Sequence, residues 1–578
     1  MKKGQTIKNI KITTIGFGVG VVAENGKKIL IKGSVLPHSI IDCVIIKAKK
    51  DHILAIPIRV VSIESRADEQ PRCPHYSNPT QEIPDEQIHK VGCGGCKRQL
   101  LSYTKQLELK VHLVHDSFRG VSYLLEQTPL QDIIPSPLTY QYRNKIEFSF
   151  GKYITKSKND RKAASLRHVE SEAESKHPVK IDHRQDPSTS LHSAQDDAEG
   201  INNSDFSHYH NRQLGFHKQG FYTHVVDVDQ CYLISEKLHS IFHYIKLLLQ
   251  QSGLPVYDPK NHQFFRHLIL REVNTSQALV HLVIADELLT QHDEQQWQAL
   301  KQQLINDDFL KNNCTTFLIT INNTVSDAVK RQDTTQEILR GKYIFEELHF
   351  TSKYKDDLSD TDQVQYTIED GQIKESRKKK ANQITHSSTH QSTNIRFRVS
   401  PFSFFQTNTL GAQELFAKAA SFIKLSKNKQ TIMDLYCGAG TIGLSLLAQG
   451  IGNFVIIELV EDAIKDANYN AQINKLDTQS YFVAGKTETL LKHDHHIASK
   501  LEDVLVIVDP PRELHKDVCE FLNTIKKDHK FQLIYISCNP VTLARDLDLL
   551  VQERSVQTLQ PVDMFPHTHH VEMISVLQ

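Results

Sequence analysis

Apolar and polar positions divide the chain into three regimes. Up to about residue 65, short β-rich runs alternate with glycine turns. Ile7–Ile12, Gly18–Val22, Lys28–Lys32, Ile40–Lys47 and Ile53–Val61 read as strands, with turns at Gly16-Phe17-Gly18-Val19-Gly20 and Glu24-Asn25-Gly26. Five short strands so closely spaced predict a small barrel of OB type. In the middle, Tyr142–Phe150, Gly215–Val228, Leu268–Ile284 and Thr316–Ile321 alternate as an antiparallel sheet does. From about residue 400 the pattern becomes strand, helix, strand. Strands are expected at Ile432–Tyr436, Phe454–Glu458, Tyr481–Ala484, Val504–Val508 and Leu533–Ser537. Helices are expected between them, for example at Val460–Asn474 and Val541–Val551, which predicts a parallel sheet covered on both faces.

Two polar stretches interrupt this order. Residues 152–212 and 352–394 carry few apolar side chains and read as loosely ordered insertions. The first holds six histidines without ligand spacing; the second holds the basic run Arg377-Lys378-Lys379-Lys380.

Composition adds bounds. The 578 residues suit roughly three domains, and 39% hydrophobic with 24% charged residues suits a globular protein. No apolar run is long enough to span a membrane, and the start, Met1-Lys2-Lys3-Gly4-Gln5, has no apolar signal core. A cytoplasmic protein is expected, in which the nine cysteines serve metal binding or catalysis rather than disulfides. Formal net charge is zero, yet residues 1–60 hold eleven Lys and Arg against three Asp and Glu. Such a local surplus can track phosphates. The sequence is silent on oligomeric state, and a monomer is the simplest expectation.

Candidate chemistry gathers at strand ends, where open α/β sheets place it. Asp434-Leu435-Tyr436-Cys437-Gly438-Ala439-Gly440 follows the first strand of the last region. Its glycines allow close backbone approach to a ligand at a helix start. The second strand ends in Glu458, eighteen residues beyond Gly440, at a spacing suited to accepting ribose hydroxyls. The fourth ends in Asp509-Pro510-Pro511-Arg512, where two prolines make a rigid loop. These three strand ends resemble the class I S-adenosylmethionine-dependent methyltransferases.

Cys538 follows the fifth strand, in Ser537-Cys538-Asn539-Pro540. Alone it reads equally as a nucleophile or as a small buried hydrophobe. Methylation of carbon gives such a thiol a task. C5 of uracil becomes nucleophilic only after something adds at C6, and a base must later remove the C5 proton so that the thiol can leave. Glu572, opening the last apolar segment Met573–Leu577, is the candidate base; His567, His569 and His570 lie nearby in sequence.

The runs Ser537-Cys538-Asn539-Pro540-Val541-Thr542-Leu543-Ala544-Arg545-Asp546 and Asp563-Met564-Phe565-Pro566-His567-Thr568, with His570-Val571-Glu572, resemble the RNA (uracil-5-)-methyltransferase family. Ser400-Pro401-Phe402-Ser403-Phe404-Phe405-Gln406-Thr407-Asn408 and the Asp509 loop do so too. The resemblance implies Cys538 as nucleophile and Glu572 as base, with Gln406, Tyr436, Gly438, Glu458 and Asp509 binding S-adenosylmethionine. The RNA cytosine-5 methyltransferases carry a cysteine beside the proline loop of the fourth strand; this chain has Asp-Pro-Pro-Arg there, which favours uracil.

Four further cysteines remain. Cys93-Gly94-Gly95-Cys96 is a tight pair, Cys73 precedes it, and Cys231 lies far beyond. Four thiolates suit zinc or an iron–sulfur cluster, spacing alone does not separate the two, and His75 is a competing ligand. Cys-Gly-Gly-Cys followed by Gln99-Leu100, Tyr103 and Gln106-Leu107, together with Tyr142-Arg143-Asn144-Lys145-Ile146-Glu147-Phe148, resembles the cluster-bearing branch of the same family. That implies a 4Fe–4S cluster on Cys73, Cys93, Cys96 and Cys231. The nineteen residues between Cys73 and Cys93 exceed the family's usual spacing. Cys43, Cys314, Cys437 and Cys519 are expected in the core.

The implied architecture is an N-terminal OB-type TRAM β-barrel over residues 1–65, a central β-rich iron–sulfur domain over 66–398, and an α/β class I methyltransferase domain with a Rossmann-like sheet over 399–578. The segment near 102–125 is expected to pack on the catalytic domain. The implied reaction is methylation of C5 of a uridine in RNA, with large-subunit ribosomal RNA favoured by the branch, transfer RNA as the alternative substrate, and a non-catalytic RNA-binding scaffold as the rival.

Overall fold

The computed structural model describes residues 2–578 other than 17–18, 25–26, 33–34, 37, 50–51, 63–67, 77–89, 91, 152–211, 220–223, 257–263, 288, 325–333, 352–362, 370–371, 379–391, 425–430, 452, 459–460, 486–502, 512 and 526–529. The first expected insertion thus falls almost wholly outside the described residues.

The N-terminal sheet has six strands: β1 (Thr6–Lys11), β2 (Thr14–Gly16), β3 (Val19–Glu24), β4 (Lys27–Lys32), β5 (Ile40–Ala48) and β6 (His52–Ser62), in the order β1-β5-β6-β4-β3-β2. Its two edge strands, β1 and β2, are separated in sequence only by Ile12 and Thr13. One nearly continuous run therefore forms both edges of the sheet. Alternate positions, among them Ile29, Ile31, Ile41, Cys43, Ile45 and Ile53, make an apolar cluster that also takes in Leu113 from the helix Tyr103–Ser117. Lys2, Lys3, Lys8, Lys11, Lys28, Lys32, Lys47 and Lys49 are exposed.

The central sheet comprises β7 (Lys145–Gly151), β8 (Gln213–His217), β9 (Val225–Asp227), β10 (Phe265–Glu272), β11 (Ala278–Ile284), β12 (Thr316–Ile321) and β13 (Thr335–Arg340), ordered β13-β12-β11-β10-β7-β8-β9. It departs from the expected antiparallel pattern at one place, because β11 and β12 are parallel. Helices Gln291–Asn306 and Asp308–Asn313 lie between them in sequence, and a crossover of that length permits parallel pairing. Ile146, Phe148, Leu268, Leu270 and Leu282 pack against Leu238, Ile241, Phe242 and Ile245 of the helix Glu236–Gln251.

Two antiparallel strand pairs follow: β14 (Ile344–Thr351) with β17 (Ser392–Val399), and the hairpin β15 (Gln363–Glu369) with β16 (Gln372–Lys378). The second corrects the expectation of loose order for residues 363–369 and 372–378, while 352–362 and 379–391 lie outside the described residues. Val364, Tyr366 and Ile368 alternate with polar residues, enough strand preference for local pairing in a stretch whose mean composition is polar. β14 and β17 share the apolar cluster of the last sheet, so that core reaches N-terminal of residue 399.

The C-terminal sheet comprises β18 (Thr431–Leu435), β19 (Asn453–Glu458), β20 (Ser480–Ala484), β21 (Asp503–Val508), β22 (Lys530–Ser537), β23 (Val556–Val562) and β24 (Glu572–Leu577). Its order is β20-β19-β18-β21-β22-β24-β23, with β24 antiparallel to both neighbours and the rest parallel. Both faces are apolar: Ile432, Leu505, Ile507, Ile534 and Ile536 face one cluster, while Met433, Val506, Val508, Leu533 and Tyr535 face the other. The strand order reverses between β18 and β21, the switch point at which such sheets open a crevice.

The segment after the Cys-Gly-Gly-Cys run packs on this sheet. Val114, Phe118 and Leu124 join the cluster of Leu543, Leu547 and Leu559. Tyr123 donates to Asp548 at 2.8 Å, and Leu130 and Ile134 form parallel bridges to Leu559 and Val562 of β23. No described helix is long and apolar enough to cross a membrane. Cys43, Cys314, Cys437 and Cys519 are buried within apolar clusters.

Candidate active site and cysteine pocket

The loop after β18 is built on positive φ angles: Tyr436 at 64°, Gly438 at 57° and Gly440 at 77°. At Gly440 a Cβ would crowd Leu444 and Ala467 at 3.1–3.3 Å, whereas at Gly438 it would meet nothing within 4 Å. Gly440 is thus needed for packing, and Gly438 leaves its surroundings open. Tyr436 pays for its left-handed backbone with about 1–3 kcal/mol, a strain that marks functional loops. Glu458, at the end of β19, accepts from the Gly438 N–H at 2.9 Å, tying two strand ends together.

Asp434 is a site residue that sequence reasoning misses. It is fully buried, one carboxylate oxygen accepts from Gly443 N–H at 2.9 Å at the start of the next helix, and Oδ1 has no hydrogen-bond partner. Burial, with Asp509 and Glu458 adding repulsion, holds its carboxyl up at about 8. A charged residue inside Ile432-Met433-Asp434-Leu435 was the available signal. Burial likewise lifts Asp509 to about 7.

Cys538 sits between β22 and the helix Pro540–Leu550, whose N-terminus is capped by Asn539 accepting from Val541 N–H at 3.1 Å, with Pro540 in the first turn. The thiol is partly exposed and lies 3.8 Å from the Pro511 carbonyl, beside the Asp509-Pro510-Pro511 loop. Ser537 pairs with Met573 across the antiparallel β22–β24 ladder, so Cys538 and Glu572 come to the same end of this strand pair. Glu572 is 4% exposed. Burial, then the negative charge of Asp509, raises its carboxyl to about 8, against the opposing pull of Lys110.

Gln406 lies in the connection between β17 and the helix Thr409–Ser421. Its carbonyl accepts from Asn144 at 3.0 Å, and Asn408 donates to the Met564 carbonyl at 2.9 Å. This loop is thereby joined to the segment carrying Glu572. His567 is buried, stacks 4.3 Å from Tyr140, and is held by burial in its neutral form, down at about 4. Its Nδ1 lies 3.2 Å from the Gln106 amide nitrogen. Arg512 lies outside the described residues.

Cys73, Cys93, Cys96 and Cys231 line one pocket, with Tyr76, Gln99, Arg143 and Phe216 among its other walls. Cys93 bridges to Lys218, and Gly94 donates to His217 of β8 at 3.1 Å. A Cβ on Gly94 would stand 2.7 Å from that same carbonyl, which explains the glycine. His75 is a clamp rather than a competing ligand: Nδ1 is 2.7 Å from the Lys90 carbonyl and Nε2 accepts from Asp229 N–H at 3.0 Å. It thereby fixes the chain entering Cys231 against the chain leaving Cys73. The long Cys73–Cys93 spacer does not keep Cys73 from the other three. Burial and mutual proximity raise the thiols, Cys96 to about 12 and Cys231 to about 11. Among the described residues no group of three or more His, Cys, Asp and Glu side chains is placed to hold a single metal ion.

A profile of the tRNA (uracil-5-)-methyltransferase family matches residues 353–578. An uncharacterized RNA methyltransferase of Clostridium tetani is 27% identical over 580 residues, covering 99% of this chain and 98% of that protein. One from Caldanaerobacter subterraneus subsp. tengcongensis is 28% identical and covers 100% of both. Among solved structures, the Pyrococcus abyssi tRNA (uracil-54, C5)-methyltransferase, in complex with S-adenosyl-L-homocysteine, aligns over 99% of each chain with a TM-score of 0.58 and 21% identity. At that identity the likeness establishes the fold.

Proposed function

Because the chain belongs to the RNA (uracil-5-)-methyltransferase family, we propose that it uses S-adenosylmethionine to methylate C5 of a uridine in large-subunit ribosomal RNA. The observation that carries this reading is the meeting of a thiol and a buried carboxylate at one end of β22 and β24, beside the Asp509 loop.

S-adenosylmethionine, when bound, supplies an electrophilic methyl group. Glu458 and the open backbone at Gly438 suit its ribose, and Asp509 lies at the neighbouring strand end as a further proposed contact. Gln406 and Tyr436 complete the proposed contacts. Cys538 adds to C6 of the uracil, which makes C5 nucleophilic towards the methyl carbon. Glu572 then takes the C5 proton, the C5–C6 double bond re-forms, and the Cys538 thiolate leaves. A carboxyl lifted to about 8 is a far stronger base than an ordinary glutamate, as this step requires. The target base has to leave its stack to expose C6.

We read the cysteine pocket as the seat of an iron–sulfur cluster, with zinc as the rival occupant. Four cysteines lining one pocket supply the all-thiolate donor set that such a cluster takes. Cys73, Cys93, Cys96 and Cys231 would hold a 4Fe–4S cluster, which supplies a structural cross-link in this reading. The lysine-bearing N-terminal sheet, with the chain run β1–β2 forming both edges, supports an OB-type TRAM module that tracks RNA phosphates.

A second reading is the same reaction on transfer RNA. It is favoured by the name of the matching family profile and by the substrate of the Pyrococcus enzyme. Mapping 5-methyluridine in ribosomal and transfer RNA from a deletion strain decides between them. Loss of one large-subunit site supports the first, loss of a transfer-RNA site the second, and no loss in either contradicts both.

A further inference from the structure

The segment carrying Glu572 is held from beneath by a helix that belongs, in sequence, to the cysteine region. Asp563, nine residues before Glu572, is fully buried. Lys110, 1% exposed, donates to Asp563 at 2.6 Å and to the Phe565 carbonyl at 3.0 Å. Tyr103 donates to the other Asp563 oxygen at 2.9 Å, and Phe565 N–H closes the shell at 2.9 Å. One turn away, Gln106 accepts from His567 N–H at 2.8 Å. Immediately after Cys96, the N–H groups of Lys97 and Arg98 both donate to the His567 carbonyl, at 2.7 and 3.1 Å. The contacts between the helix region and the 563–567 segment join residues four to five hundred positions apart in sequence.

We infer that Lys110 is a positioning residue for the base: through Asp563 and the Phe565 carbonyl it fixes the 563–572 segment so that Glu572 meets the C5 proton. The inference rests on the proposed reaction. Its special consequence concerns one step. Addition of Cys538 and methyl transfer depend on the β21, β22 and β18 loops, which Lys110 does not touch. Proton removal depends on Glu572. Without Lys110 the C5 proton stays on, the C6–S bond cannot break, and enzyme remains covalently joined to methylated RNA. A merely structural role would lower all steps together and leave no such adduct.

The test uses full-length protein with S-adenosylmethionine and ordinary uridine-containing RNA, reading denaturation-stable protein–RNA adduct and turnover. Lys110→Met is expected to accumulate adduct with turnover lower by about 100-fold, the scale of a 1 Å misplacement. Lys110→Arg, which keeps the charge, is expected to recover most of the turnover. Turnover unchanged in Lys110→Met, or lowered without adduct, overturns the inference. If Lys110→Met proves insoluble, Tyr103→Phe removes one Asp563 contact more gently. Adduct accumulation in that variant supports the inference, and its absence overturns it. Wild-type protein that never reacts with 5-fluorouridine RNA would instead remove the reaction on which the inference rests.

Discussion

Glu572→Gln is expected to make the protein inactive yet more stable, and by an amount that depends on pH. In the unfolded chain this carboxyl titrates near the ordinary 4.5; in the fold it is held up at about 8 by burial and by Asp509. Between those values the unfolded state has released the proton and the folded state has not. Stability therefore falls as pH rises from 4.5 towards 8, and the full penalty is present above 8. At 1.36 kcal/mol per pH unit, the penalty is roughly 3 kcal/mol at pH 7 and about 1 kcal/mol at pH 5.5. Glutamine keeps the shape of the protonated acid without a charge to bury, so it removes most of that cost. Urea denaturation of wild type and Glu572→Gln at pH 5.5 and pH 7.5 measures the difference. The variant should gain clearly at pH 7.5 and much less at 5.5. A variant equally or less stable at pH 7.5, or a gain that does not shrink at low pH, refutes the reasoning.

Other expectations follow from single contacts. Glu458→Gln should weaken S-adenosylhomocysteine binding by about 10- to 100-fold in calorimetry, the scale of a charged hydrogen bond of about 1.5–3 kcal/mol, because an amide accepts from the proposed ribose hydroxyls less strongly than a carboxylate; unchanged affinity would contradict the pocket assignment. Gly94→Ala places a Cβ against the His217 carbonyl and should lower stability by about 1–3 kcal/mol, with reduced iron content on anaerobic purification. Cys96→Ser should likewise remove iron and sulfide while leaving S-adenosylhomocysteine binding intact; a colourless wild type carrying one zinc would overturn the cluster assignment.

What the sequence made legible follows from how local each signal is. Strands β21 and β22 were readable because burial on both faces leaves long apolar runs, and Asn539-Pro540 announced a helix start. Cys538, Glu458 and Asp509 stood out because chemistry-bearing residues follow strand runs directly. The parallel β11–β12 pair was not readable, since either direction presents the same alternation. The β15–β16 hairpin was hidden by the polar average of its surroundings. Lys110 and Gln106 lie four residues apart on a buried helix face where polar residues would be assigned to solvent, and only the distant Asp563 and His567 explain them. The strain at Tyr436 has no sequence signature, because tyrosine rarely adopts positive φ.

The central claim is that Cys538 forms a covalent bond to the uracil ring. RNA containing 5-fluorouridine blocks the final proton removal, since C5 then carries fluorine where Glu572 needs hydrogen. Incubated with S-adenosylmethionine, wild-type protein should yield a denaturation-stable complex with this RNA whose linkage maps to Cys538, and Cys538→Ala should yield none. Equal behaviour of the two proteins would contradict the account.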